Sequence, residues 1–444
     1  MTTTVRILGS RAREQVPGTS ITLLAPGFRG AMTQLGANET PTGVSALPFA
    51  RAASGAEVMI AAQLSMRLEA RPPEDRAGLR TRSAVAGFPR LIVPKRNGIA
   101  YALLQTDEQG FSSFIQPKSR ESTEAVFPLT ISAGGAMHRT LRVLMWPAQH
   151  VAGPGALAAA SRWERLRRPN QLQQLGLRGW QVPDWEQLRR GAVLLLLHGT
   201  FGTPHGTFVD WIGDESFLAV LRRYEGRCLA FAHPTLGASV EENAGWLTAH
   251  LLGICAPIDV VAHGRGALLA RALATDGRIS LRRVCQVGAP NNGTALARTS
   301  NLARFLDAHV ALLARAPQPL AESVLEGALC MARFVGMGLP VELPGLAAMT
   351  PGSLSLRSLN MSHPVQQQWF TIGAQYTPPA GHSTNTAVDE EFTAEPNDLV
   401  VPSAGCHEPG VQPIEMLTLG GSDVHHHNYF ANRQVRERLE SWLR

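Results

Sequence analysis

The sequence predicts an α/β protein: a mostly parallel sheet flanked by helices in the carboxy-terminal part, preceded by a β-rich region. Short apolar runs at Val193–Leu197, Cys228–Ala230, Ile258–Val261, Val284–Val287 and Phe370–Ile372 are separated by segments of helix length. Strands apolar on both faces belong in a parallel sheet covered by helices on either side. Residues 1 to 150 have a different texture of strands and turns. A length of 444 residues also exceeds what one hydrophobic core usually serves, which implies about two domains.

Composition excludes disorder and fibrous classes, with 44% apolar and 17% charged residues. Net charge is +6, yet the lysines are Lys95 and Lys118 alone, so the positive charge is almost all arginine. Such a bias reflects a GC-rich genome more readily than a nucleic-acid ligand. One cluster, Arg162, Arg165, Arg167 and Arg168 around Trp163, followed by Arg178, Arg189 and Arg190, offers charge to phosphate or an acidic partner. A solvated helix face in a connector explains it better, and nucleic acid is not the expected partner. Cys228, Cys255, Cys285, Cys330 and Cys406 lack paired spacing, and Cys255 and Cys285 are expected as buried thiols beside strands. The odd count suits a reducing compartment. Met1–Ser10 has no apolar segment of signal-peptide type and Ala192–Leu197 is too short to span a bilayer, so a cytoplasmic location is expected.

Within residues 1–150, Leu91–Pro94, Asn97-Gly98 and Ile99–Leu104 predict a hairpin, because both turn residues tolerate positive φ. Val126–Ile131, a turn around Gly134-Gly135 and Leu141–Trp146 predict a second. This accessory region carries no catalytic constellation and offers a surface for a protein partner. Residues 151–190 read as a helical, basic connector, and 191–444 as the α/β domain. Within that domain, 301–350 is a lid-like helical insertion containing Leu302–Ala314 and Ala321–Gly336. Asn432–Leu443 is a closing amphipathic helix.

The chemistry concentrates in Asp259-Val260-Val261-Ala262-His263-Gly264-Arg265-Gly266-Ala267-Leu268-Leu269-Ala270-Arg271, an apolar strand, a tight turn and a helix. Small residues at Ala262 and Gly266 are what a nucleophile elbow needs, because its turn is too sharp for larger flanking side chains. The segment resembles the D-V-V-x-H-S-R-G-G-L-V-A-R elbow of bacterial lipase-like α/β-hydrolases, the branch that includes GPI-inositol deacylases. Gly264 stands where their serine stands. By itself, a glycine-rich turn after a strand is equally consistent with a generic βα connection.

The resemblance extends to other segments. Leu194–Leu197 followed by His198-Gly199-Thr200-Phe201 is similar to the oxyanion-hole strand, which implies that a Thr200 or Phe201 N–H joins that of Arg265. His198 reads as a structural histidine. Asn397-Asp398-Leu399-Val400-Val401-Pro402 resembles the turn that carries the family's acid, and His425-His426-His427-Asn428-Tyr429-Phe430 resembles its histidine loop. The position relative to Phe430 selects His426. The order Gly264, Asp398, His426 is the superfamily's order. Adjacent histidines point in different directions, so a metal with Cys406 and His407 is not expected, nor is a cofactor. Pro290-Asn291-Asn292-Gly293-Thr294 is similar to a turn of the same relatives.

Glycine offers no oxygen for an acyl-enzyme. Three readings follow: a degenerate hydrolase that binds an ester or lipid-like small molecule or a partner, an ester or lipid hydrolase that works by water activation or another nucleophile, and a serine enzyme changed at position 264. All three expect Gly264 at positive φ beside His426, with His426 bonded to Asp398 and a mostly apolar cleft bordered by 301–350. His425 and His427 are expected one buried and one solvated.

Overall fold

A computed structural model describes residues 4–10, 12–36, 52–54, 56–70, 89–108, 110–117, 123–129, 136–148, 154–176, 179–336, 343–362, 366–378, 391–392, 395–407 and 412–444. The amino-terminal part contains β1 (Thr4–Ile7), β2 (Glu14–Gln15), β3 (Thr22–Leu24), β4 (Phe28–Leu35), β5 (Met59–Ala70), β6 (Arg90–Pro94), β7 (Ile99–Asp107), β8 (Ser112–Ile115), β9 (Glu124–Pro128) and β10 (Ala136–Pro147). Among the described residues they form two antiparallel sheets, ordered β1-β4-β5-β10-β7-β8 and β2-β3-β6-β9. Ile7, Leu23, Met32, Leu64, Leu91, Val93, Leu103, Phe127 and Val143 pack between them.

Neither expected hairpin forms. β6 pairs with β3 and β9, whereas β7 pairs with β10 and β8, so the chain crosses from one sheet to the other at Asn97-Gly98. β9 and β10 likewise lie in different sheets, and the Gly134-Gly135 turn is outside the described residues. An Asn-Gly turn reverses the chain but does not dictate which sheet receives the returning strand. The burial of β7 explains the outcome: Tyr101 and Leu103 join the core between the sheets, while Ala102 and Leu104 join the core of the carboxy-terminal part. A strand covered on both sides lies inside a layered structure, not at a solvated hairpin.

The remainder comprises α1 (Pro154–Arg167), β11 (Gln171–Gly176), β12 (Gly179–Gln181), the short α2 (Trp185–Leu188), β13 (Val193–Leu197), α3 (Pro204–Ile212), α4 (Glu215–Arg223) and β14 (Cys228–Ala232). It continues with α5 (Val240–Leu251), β15 (Ile258–His263), α6 (Arg265–Asp276), β16 (Leu281–Val287), α7 (Leu302–Val310), α8 (Gln318–Gly336), α9 (Pro344–Ala347) and α10 (Leu354–Met361). It closes with β17 (Gln368–Tyr376), β18 (Pro413–Gly421) and α11 (Arg433–Trp442). The sheet order is β12-β11-β14-β13-β15-β16-β17-β18; β11 runs antiparallel to both neighbours and the strands from β14 to β18 are parallel. Successive residues of β13 feed opposite layers. Leu195 and Leu197 pack with α5, α6 and α8, while Leu194 and Leu196 pack with Phe208, Trp211, Phe430 and Trp442.

The stretch 151–190 is more than a connector, since 171–176 and 179–181 extend the sheet. Their glutamines hid this, because an antiparallel edge tolerates polar side chains that find partners: Gln174 accepts the Asp184 N–H at 2.7 Å and donates to Gln187 at 2.7 Å. Of the arginines in this stretch, Arg162, Arg165, Arg167, Arg189 and Arg190 are exposed, as expected of a solvated face, and Arg168 is the exception. Arg168 is buried and donates to the carbonyls of Phe201 and Ser323, and Arg167 pairs with Glu326 of α8. Arg178 lies outside the described residues. Cys285 is buried as expected, but Cys255 is exposed because it sits in the turn before β15 rather than in the strand.

Glu164 of α1 is fully buried and accepts the backbone N–H groups of Thr235, Leu236 and Gly237 at 2.6, 2.8 and 2.6 Å. Its loss leaves three donors without water or partner. Glu164→Ala is therefore expected to lower the unfolding free energy by about 2–4 kcal/mol, with Glu164→Gln intermediate, measured by urea titration.

Candidate active site

β13, β15 and β16 are parallel neighbours, so the loops leaving their carboxy-terminal ends gather at one edge. The turn after β15 brings in Gly264, at φ 52° and ψ −126°, immediately before α6. This backbone region strongly disfavours a side chain and is held here by the Gly264 N–H donating to Val287 O at 2.9 Å. Two residues on, a Cβ on Gly266 would lie 2.6 Å from Leu197 O. That contact with backbone is why the elbow requires glycine there.

The histidine loop before α11 places His426 opposite. A Cβ built on Gly264 would stand 3.1 Å from His426 Nε2. Nδ1 of the same ring donates to Asp398 Oδ2 at 2.8 Å. With the Nδ1 proton committed to the carboxylate, neutral His426 presents the Nε2 lone pair to the elbow. Three residues far apart in sequence are thus brought together in the order acid, base, elbow.

Asp398 is fully buried, and four donors meet it. Val400 and Val401 N–H reach Oδ1 at 3.0 and 2.7 Å, and the Tyr429 hydroxyl reaches Oδ2 at 2.9 Å beside His426. Burial opposes the charge, but His426 and the backbone donors outweigh it and hold the carboxyl below its ordinary value. Tyr429 escaped the sequence reading although it stands next to Phe430, because an aromatic in a loop gives no sign that its hydroxyl points inward. His263 was missed for the same reason; its Nε2–H donates to His426 O at 2.8 Å and fixes the loop from the elbow side.

The oxyanion candidates divide. Thr200 and Arg265 N–H groups make no hydrogen bond among the described residues, which leaves both as donors beside the elbow. Phe201 is a correction. Its residue adopts φ 59° and its N–H is donated to Thr235 Oγ1 at 3.2 Å, so it is not free for an oxyanion. His198 is structural: Nδ1–H donates to Gly199 O at 3.0 Å, Nε2 accepts the His233 N–H at 3.3 Å, and burial pushes its pKa down to about 3.

The site is enclosed. His425, His426 and His427 are all buried, at 1%, 5% and 6% exposure, so the expected solvated member is absent. His309 of α7 lies over them, its ring 6.1 Å from that of His426 and 5.3 Å from that of His427. An open groove of about 960 Å³ lies against Gln174, Gln181, Phe217, Leu221 and Arg222. Among the described residues no group of three or more His, Cys, Asp or Glu side chains is placed to hold a metal ion. No helix among the described residues is long and apolar enough to cross a membrane.

Sheet order, elbow and enclosed acid–base pair define an α/β-hydrolase fold with a β-rich amino-terminal part. Residues 161–444 match the family described as "Domain of unknown function (DUF7379)", and the chain belongs to that family. No curated protein matches it. Similar solved structures include the mature lipase BlEst2 of Bacillus licheniformis, at 13% identity and TM-score 0.37, covering 56% of this chain and 91% of that one. A putative α/β-hydrolase family protein of Desulfitobacterium hafniense is similar at 16% identity and TM-score 0.37, covering 62% and 100%. Lipase 1 of Pelosinus fermentans is similar at 12% identity and TM-score 0.40, covering 57% and 97%.

Because the Asp398 carboxyl is held below its ordinary value, its contribution to stability is full above the unfolded-state pKa and is lost as pH falls through the folded one. Wild type is therefore expected to lose stability below about pH 4. Asp398→Asn should be less stable at pH 7 by about 1–3 kcal/mol but lose less on acidification, followed by thermal melts across pH.

Proposed function

We propose that this chain is a lipase/esterase-like hydrolase-fold protein in which Gly264 occupies the nucleophile position, so that it forms no acyl-enzyme. It resembles the lipase-like branch related to GPI-inositol deacylases, and an ester or lipid-like small molecule is the ligand class that suits the site. The observation that carries this reading is the elbow itself: Gly264 at φ 52° and ψ −126°, with its Cβ position 3.1 Å from His426 Nε2 and His426 bonded to Asp398. A generic turn glycine has no reason to face a buried acid–base pair. Thr200 and Arg265 are the proposed oxyanion donors.

A second reading is supported by the free Nε2 lone pair of His426. A water held against it would be deprotonated as it attacks a bound ester, with His426 as general base and Asp398 balancing the imidazolium. Loss of the nucleophile alone leaves room for such residual catalysis. Ligand or partner binding without turnover is the outcome if neither hydrolysis nor labelling is seen.

The parent chain is expected to take no fluorophosphonate label at this site. Gly264→Ser should acquire both labelling and hydrolysis of short p-nitrophenyl esters, and adding His426→Ala should remove the hydrolysis by about 10³-fold or more. The serine variant should also be less stable by about 1–3 kcal/mol, because a side chain must now occupy the strained backbone and crowd His426. A folded Gly264→Ser protein with neither label nor esterase activity, under conditions that open the cover described below, would overturn the reading.

A further inference from the structure

We propose that the amino-terminal β region is a clamp that holds the helical cover, α7 and α8, shut over the Gly264–His426 site. The inference rests on the reading of that site given above, and it gives the amino-terminal region a role toward the site within its own chain.

The cover is fixed from below by the site and from above by the amino-terminal sheet. On the lower side, His309 of α7 packs against Phe201 at 5.1 Å between ring centroids and against His426 and His427. On the upper side, among the described residues β8 is the last strand of its sheet and pairs only with β7. The outward N–H groups of an edge strand need partners, and those of β8 find them on the cover. Phe114 N–H donates to Asp307 Oδ1 of α7 at 2.7 Å, and Ser112 N–H donates to Ala311 O at 3.0 Å. The two donors are one strand repeat apart, so they leave the same edge and meet consecutive turns of one helix.

Apolar contacts repeat the pattern. Ala102 and Leu104 of β7 and Leu144 and Trp146 of β10 share a core with Leu325, Ala328 and Leu329 of α8. At the end of the cover, Phe111 packs with Leu312, Tyr376 and Leu399, with the Arg315 guanidinium 5.3 Å above its ring. Leu399 follows Asp398 directly. The amino-terminal region therefore grips the cover along α7 and α8 and ends beside the acid of the site. In this arrangement His309, packed beside His426, moves with α7, and α7 moves only if β8 releases it.

Hydrogen–deuterium exchange of the full chain tests this. Asp307→Ala deletes the acceptor of the Phe114 N–H and is expected to speed exchange across residues 302–313 by about tenfold, the effect of losing one buried hydrogen bond. Phe111→Ala should act in the same direction. Asp307→Asn keeps an oxygen acceptor and should stay within about twofold of the parent. Residues 258–263 should exchange as in the parent throughout. In the Gly264→Ser background, Asp307→Ala should raise the fluorophosphonate labelling rate by a similar factor. Unchanged exchange over 302–313 in both Asp307→Ala and Phe111→Ala, acceleration that equally includes 258–263, or faster exchange without faster labelling overturns the clamp. Faster local exchange with no label in either serine background leaves the clamp standing and overturns the reading of Gly264 instead.

Discussion

A carboxylate sealed from water keeps its charge only where its lone pairs are met, and at Asp398 four donors from two loops meet them. Val400 and Val401 curl the acid's own turn around Oδ1, while His426 and Tyr429 reach Oδ2 from the loop before the last helix. This arrangement sets the tautomer of His426, and the tautomer sets which ring atom faces the elbow. The loop is held from its other side by His263, one residue before Gly264, so acid, base and elbow are tied in a closed circuit of hydrogen bonds. The parallel sheet is what brings the three loops within reach.

Glycine at position 264 suits the fold. The elbow backbone is strained for any side chain, and glycine relieves that strain at no steric cost. Nearby, Asp398 is fully buried, and the groups that meet it hold its carboxyl below its ordinary value.

The layers above the site form one continuous structure with the sheet below it. Side chains from β7 and β10 share a core with the cover helix α8, and the edge of β8 is satisfied by α7. His309 of this roof packs against two of the three buried histidines, His426 and His427. Two arginines of the basic stretch, Arg167 and Arg168, tie the end of α1 to α8 through Glu326, while its other described arginines face solvent.

The sequence by itself determined the α/β class, the elbow at Gly264, and the pairing of Asp398 with His426, because these depend on local patterns: buried runs of strand length, small residues flanking a tight turn, and motif order along the chain. Tertiary structure alone decided the rest. Which sheet receives a strand after Asn97-Gly98 depends on what covers its second face. Phe201 is withdrawn from the oxyanion set by Thr235, which is 34 residues away. Tyr429 and His263 join the site through the direction their rings take, and the enclosure of the site depends on residues near 112 meeting a helix near 307. Such contacts join residues whose sequence neighbours carry no trace of each other, so only the folded chain could reveal them.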